Sequence, residues 1–266
     1  MKNKKPIYLF ITVFFAVLFF IWDNYTFEDF VGSETAVTNL ETTHFLPTST
    51  TEQVITHKHY TLSYSEKHEQ AEWVAYTLNT AHIASSNFKR PYFEKDPKVK
   101  TQSAHYKNYS KSGYDKGHLC PAGDRKFSKF AHDETFLTSN ISPQEHQFNA
   151  GIWNRLEQKT RYWATKYKSL YVITGGVLEN TSKSIGSEKV TVPDYFYKII
   201  LDFHEPEIKA IAFLIPHEES KKGLYKFVTS IDYIEEITGI DFFPKIEDTL
   251  ENKLEAATSY SNWNFR

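Results

Sequence analysis

Between Asp115 and Glu157 the chain sets a glycine-histidine pair, a turn, an amide-bearing loop and the start of a helix in close succession. The stretch opens Asp115-Lys116-Gly117-His118-Leu119-Cys120-Pro121-Ala122-Gly123-Asp124. Ser139-Asn140-Ile141-Ser142-Pro143-Gln144 follows, and then Phe148-Asn149-Ala150-Gly151-Ile152-Trp153-Asn154-Arg155-Leu156-Glu157. From there Ile152, Trp153, Leu156, Thr160 and Trp163 recur at three/four spacing, which predicts a helix over 149–166. The fold must therefore carry an imidazole on a turn-rich segment and an amide and a carboxylate on a helix.

Those groups suit the hydrolysis of a phosphodiester. An imidazole with an ordinary pKa near 6.5 takes a proton from water near neutral pH, and His118 is the candidate. A hard cation such as Mg²⁺ prefers oxygen ligands and keeps several waters. Asn149 can supply an amide oxygen near the start of its helix. Glu157 lies eight residues on, a little over two turns, and can orient metal-bound water. Lys116 can hold a phosphate oxygen, Asn140 can position His118 or the phosphate, and Arg90 and Arg155 can clamp neighbouring phosphates. Taken singly, each has a plainer role: a structural histidine, a helix cap at Asn149, a Glu157–Arg161 pair at i+4. The functional reading rests on their coincidence.

A net charge of −2 over 266 residues announces no global basic field. The charge is uneven, however: Lys89 to Lys129 holds eleven Lys/Arg against four acids, while Asp232 to Glu255 is acidic. The one cysteine, Cys120, excludes an intrachain disulfide and any paired-cysteine zinc site.

Lys2, Lys4 and Lys5 precede an apolar run from Ile7 to Trp22. This predicts an uncleaved signal anchor over 1–23 or, second, a cleaved signal peptide, with the remainder outside the cytoplasm, membrane-anchored or secreted. Residues 24–53, rich in Thr, Ser and Glu, are expected to be a flexible tether. The folded domain is expected over 54–266. A strand is predicted over His59–Ser65, a helix from Ser65 to about Ala81, and loop with short strands over Lys89–Ser112. Strands are predicted at Leu170–Gly175, Val190–Asp202 and Lys209–Pro216, and a short strand and helix within Tyr225–Gly239. Without a regular βαβ alternation, the class is α+β with an antiparallel sheet.

The ordered motifs resemble the DNA/RNA non-specific endonucleases, the ββα-metal group that includes mitochondrial endonuclease G. Thr174-Gly175-Gly176, Val192-Pro193-Asp194-Tyr195-Phe196-Tyr197-Lys198 and Thr238-Gly239-Ile240-Asp241-Phe242-Phe243-Pro244 extend the resemblance. It implies a ββα-metal nuclease fold, a central mainly antiparallel sheet flanked by helices. It implies His118 as general base, Asn149 as ligand to one Mg²⁺ with Mn²⁺ as a substitute, Glu157 as a supporting acid and Asn140 as a site-organising amide. Cleavage of DNA and RNA with little sequence preference, leaving 5′-phosphates, is the implied activity; a homodimer is an open expectation. Lys116 stands where the family usually has Arg, keeping the charge without the bidentate fork. Two other readings stay open: a non-catalytic cell-surface nucleic-acid-binding module using the Lys89–Lys129 patch, and a phosphodiesterase for small or lipid phosphates.

Overall fold

In the computed structural model, residues 43–204 and 206–265 are described. Seven strands build one antiparallel sheet: β1 (Val54–Thr56), β2 (Thr61–Ser65), β3 (Gln70–Asn79), β6 (Ser169–Gly176), β9 (Tyr195–Asp202), β10 (Lys209–Pro216) and β11 (Val228–Thr229), in that spatial order. Two hairpins stand apart from it: β4 (Asp115–His118) with β5 (Ile141–Gln144), and β7 (Ser184–Ile185) with β8 (Val190–Thr191). The helices are α1 (Lys129–Glu134), α2 (Asn154–Tyr167), α3 (Ile231–Thr238) and α4 (Asp248–Glu255). This is the α+β, ββα-metal nuclease architecture, with β4, β5 and α2 as its ββα unit.

The main sheet is buried on both sides. Leu62, Val74, Tyr76, Val172 and Ile200 pack on one face with Trp153, Leu156 and Trp163 of the α2 region. Trp73, Ala75, Ile173 and Ile199 pack on the other with Ile231 and Ile234 of α3 and Leu254 of α4.

This two-sided burial explains the main departure from expectation. The residues predicted as a helix from Ser65 form a tight turn and then β3, the sheet's longest strand, paired along both edges. A strand with apolar neighbours on both faces loses the alternation that marks half-buried strands, and it imitates a helical face. Trp73, Val74, Tyr76 and Thr77 are strand formers; Trp73 and Ala75 enter one core, and Val74 and Tyr76 the other. The turn closes with Glu69 at φ 53.

The expected helix over 149–166 is present with one modification. Phe148–Trp153 is a π-helical turn, with Gly151 at φ −97, ψ −106, and runs directly into α2. Val190–Asp202 is two strands, broken where Pro193 removes a backbone donor. Helix α4 lies in a segment given no helix by the sequence reading.

The start of the fold also differs from expectation. The anchor over 1–23 and the tether as far as residue 42 lie outside the described residues. From residue 44 the chain is already part of the folded unit. Thr48 N donates to Asp241 O at 2.8 Å, Trp73 Nε1 to Thr48 O at 2.8 Å and Thr50 N to Glu72 Oε1 at 3.0 Å. Phe45 and Leu46 add apolar contacts with the second core, but two adjacent apolar residues set up no period, so hydrophobic periodicity gave no sign of the docking.

Candidate active site

Strand β4 delivers His118 at its last residue. Gly117 is required by packing: a Cβ there would sit 2.1 Å from Gln144 Oε1 on the partner strand β5. After His118 the chain turns, and Asn140 holds the turn. Its buried amide accepts from Cys120 N at 2.8 Å and donates to Cys120 O and Thr135 O, both at 2.9 Å. Leu119 N also donates to Asn140 O at 2.9 Å. Asn140 therefore fixes the backbone beside His118, and its amide is fully committed to protein groups.

His118 lines a cavity of about 260 Å³ with Pro121, Ala122, Asn149, Glu157 and Arg161. The predicted base, metal ligand and supporting acid thus share one recess. The imidazole packs edge-to-face on Phe136, ring centroids 4.9 Å apart, and beside Phe93 at 5.7 Å. Its Nε2 is buried with no hydrogen-bond partner. Burial, followed by the positive charges of Arg90 and His132, pushes its pKa down from the ordinary 6.5 to about 3. The ring is therefore neutral at neutral pH.

Asn149 sits in the π-helical turn, and its Nδ2 donates to Asp115 Oδ2 at 3.0 Å. That oxygen also faces His146 Nδ1 at 2.9 Å. With its NH₂ directed at Asp115, the amide has its oxygen available for the recess, and Asp115 fixes that orientation. Glu157 is one turn into α2. Burial pushes its carboxyl up to about 7, against the opposing pull of Lys198 and Arg161. Arg161 Nη1 lies 4.0 Å from Glu157 Oε2, but its shorter contact is Asp124 Oδ1 at 2.6 Å. The expected i+4 pair is thus one edge of a three-residue network.

A second recess holds Arg90, Tyr114, Asp115, Lys116 and His146, and Asn149 lines both. Lys116 Nζ lies 5.4 Å from the Phe93 ring centroid, and the Arg90 guanidinium lies 5.1 Å from the same ring. Two cations thus flank one aromatic ring at the mouth of the site.

Arg155 does not join them. Its guanidinium donates to Ser220 O at 2.7 Å and Lys222 O at 3.2 Å, and it lines neither recess. It lies two residues before Glu157, about 200° around the helix, and so faces the opposite way. Cys120 is fully buried, and burial pushes its thiol up to about 12, so it is neither a nucleophile nor an exposed oxidation target.

Two participants escaped the sequence reading. Asp115 orients Asn149. Lys198, fully buried on β9, donates to Thr174 Oγ1 at 2.5 Å, and its charge acts on both Glu157 and Asp124. Its place in a predicted strand, at the end of the Val192–Lys198 stretch that extends the resemblance, was the available signal.

The model of the DNA/RNA non-specific endonuclease family matches residues 39–249. The chain belongs to that family. It is 34% identical over 224 residues to the mitochondrial nuclease EXOG of Danio rerio, covering 78% of this chain and 65% of that protein. It therefore spans just under two thirds of that relative's length. Nuclease C1 of Cunninghamella echinulata var. echinulata is 32% identical, with 75% of this chain and 86% of the relative covered. Human mitochondrial endonuclease G is 31% identical, with coverage of 73% and 70%. Among solved structures, the complex of EndoG with EndoGI matches with a TM-score of 0.67 and 28% identity, covering 73% of this chain and 87% of that one.

These relatives overturn the expectation of a membrane-anchored or secreted domain, since the EXOG and endonuclease G proteins are named as mitochondrial. Among the described residues, no helix is long and apolar enough to cross a membrane.

Proposed function

We propose that this family member is a metal-dependent, sequence-non-specific endonuclease that hydrolyses phosphodiester bonds in DNA and RNA, with the folded unit from residue 44 onward as its nuclease domain. The observation that carries the reading is the convergence of His118, Asn149 and Glu157 on one recess with Lys116 and Arg90 beside it. The family names of the relatives support the same reaction class.

The donor set fits a hard divalent cation. Asn149 offers an amide oxygen, and Glu157 is a poorly solvated carboxyl that a cation would return to its ionised form. In this reading Asn149 ligates Mg²⁺, or Mn²⁺ in its place, and Glu157 holds the ion's waters. When bound, the ion neutralises charge on the phosphate and stabilises the leaving oxygen.

The protein's own groups do the rest. His118 enters the reaction neutral and accepts the proton of the attacking water on its imidazole, neither nitrogen of which is committed to a protein partner. A phosphate anion beside the ring favours the imidazolium, so basicity rises as substrate binds. Lys116 and Arg90 hold non-bridging phosphate oxygens. Such contacts carry no base information, which accounts for low sequence preference. Asn140 keeps His118 in place through the backbone, acting as a positioning residue.

The test is cleavage of supercoiled plasmid and of a structured RNA by the purified protein, in Mg²⁺ and in EDTA, with end analysis. Metal-dependent cleavage of both polymers leaving 5′-phosphates is expected. Binding of both without cleavage, across Mg²⁺ and Mn²⁺, would replace the reading with that of a binding module.

A further inference from the structure

Far along the chain from the motif block, five carboxylates converge between α3, the turn after it and α4. Asp232 and Glu235 are three residues apart on α3, and Glu251 and Glu255 are four apart on α4, so each pair shares a helix face. Asp241 follows the left-handed Gly239 that ends α3. One oxygen each of Asp232, Glu235 and Glu255 lie within 4.8 Å of one another, and so do one oxygen each of Asp241, Glu251 and Glu255. Glu255 belongs to both sets.

The frame around them is fixed. Asp241 N donates to Thr48 Oγ1 at 2.9 Å, and Phe242 N donates to Glu235 Oε1 at 2.8 Å. Among the described residues none of the five is ion-paired with a lysine, arginine or histidine.

Exposed acidic clusters are common and mean little alone. The second observation concerns Glu255 itself. It is 8% exposed, and its Oε1 is buried with no hydrogen-bond partner while the side chain points into the cluster. An enclosed carboxylate oxygen in this state needs either a proton or a cation. Glu235, Glu251, Asp241 and Asp232 all repel a negative charge on Glu255. A proton there is shared with Glu235 and leaves Asp232, Asp241 and Glu251 repelling; a cation acts on the carboxylates of both sets.

We infer that these carboxylates form a second cation site, separate from the recess at His118, that takes Ca²⁺ with Glu255 as the shared ligand. The ligands are all oxygens in an irregular array on two short helices. Ca²⁺ accepts such arrays at about 2.3–2.6 Å, whereas Mg²⁺ demands a near-ideal octahedron. Ligand oxygens around Ca²⁺ are then at most about 5 Å apart, and within each of the two sets the oxygens meet that limit. The ion would tie α4 to α3 and to the Thr48 strap. The inference does not depend on the proposed nuclease mechanism.

The test uses the full chain carrying Asn149→Ala, which removes the proposed ligand of the other recess, after stripping with EDTA. Calorimetric titration with CaCl₂ to about 1 mM should show one Ca²⁺ per chain. The melting temperature should rise with Ca²⁺ more than with Mg²⁺ or with NaCl of matched ionic strength. Adding Glu255→Gln should weaken Ca²⁺ binding by about tenfold or more and cancel the Ca²⁺-dependent shift. In EDTA that variant should melt no lower than its parent, because Gln is neutral and places no charge among the other four carboxylates. Calcium binding and melting shift unchanged by Glu255→Gln, or no binding at all, would overturn the inference; a shared proton between Glu255 and Glu235 would then explain the cluster. If Glu255→Gln does not fold, the pair Asp241→Asn and Glu251→Gln, at less buried positions, decides the matter on the same readouts.

Discussion

Asp115 Oδ2 lies 3.0 Å from Asn149 Nδ2, and this contact joins the first strand of the hairpin to the π-helical turn ahead of α2. It sets which end of the Asn149 amide faces the recess. Asp115→Asn removes the charged acceptor and lets the amide turn. The expected result is a loss of about 10–100-fold in apparent Mg²⁺ affinity, read from cleavage rate against metal concentration, with little change at saturating metal. An unchanged metal titration would remove Asp115 from the site.

Lys198 lowers the proton affinity of Glu157 from within the core. Lys198→Met should let the Glu157 carboxyl, already pushed up to about 7, rise further. The acid limb of the pH–rate profile then moves to higher pH, and activity at pH 7 falls by about tenfold. A uniform rate loss with no shift in the profile would mean that Lys198 only fills space.

Gly117 is required by Gln144, whose Oε1 and Nε2 are both buried without partners. Gly117→Ala should cost about 1–3 kcal/mol in chemical unfolding and displace His118, lowering activity. Adding Gln144→Ala removes the three atoms that would collide with the new methyl group. The double variant should recover part of the stability; no recovery would place the strain elsewhere.

A buried cluster of His57, Asp96 and Glu134 makes stability depend on pH. Burial alone would raise the Glu134 carboxyl, but hydrogen bonds from His57, His59 and the Lys58 backbone outweigh it and hold it at about 2. Its stabilising contribution is thus complete above the ordinary carboxylate range and is lost as pH falls towards 2. Burial would lower His57, yet Asp96 Oδ2 at 2.7 Å and Glu134 raise it. That contribution is complete below about pH 6.5 and is lost as pH rises past the elevated value. Melting temperature should therefore peak in the weakly acidic range. Glu134→Gln should lower the peak, and the difference from the parent should shrink below about pH 4.5. A constant difference down to pH 2 would contradict this assignment.

The site was more legible in the sequence than the fold around it. His118, Asn149 and Glu157 could be grouped because helix spacing and chain order are local properties. Arg155 was misplaced by the same local reasoning, since a shared helix does not mean a shared face. Strand β3 was misread because both of its faces are buried, which erases the alternation that identifies strands. Lys198 and the docking of residues 44–53 depend on partners far away in sequence, and no local pattern encodes them.

The central claim is that His118 moves the proton in a metal-dependent cleavage. The most direct measurement is plasmid cleavage in Mg²⁺ by the purified protein and by His118→Ala, with melting curves and DNA binding measured alongside. The account predicts that the variant folds, binds DNA and loses cleavage by about 100-fold or more. A folded His118→Ala protein that still cleaves at the parent rate would contradict it.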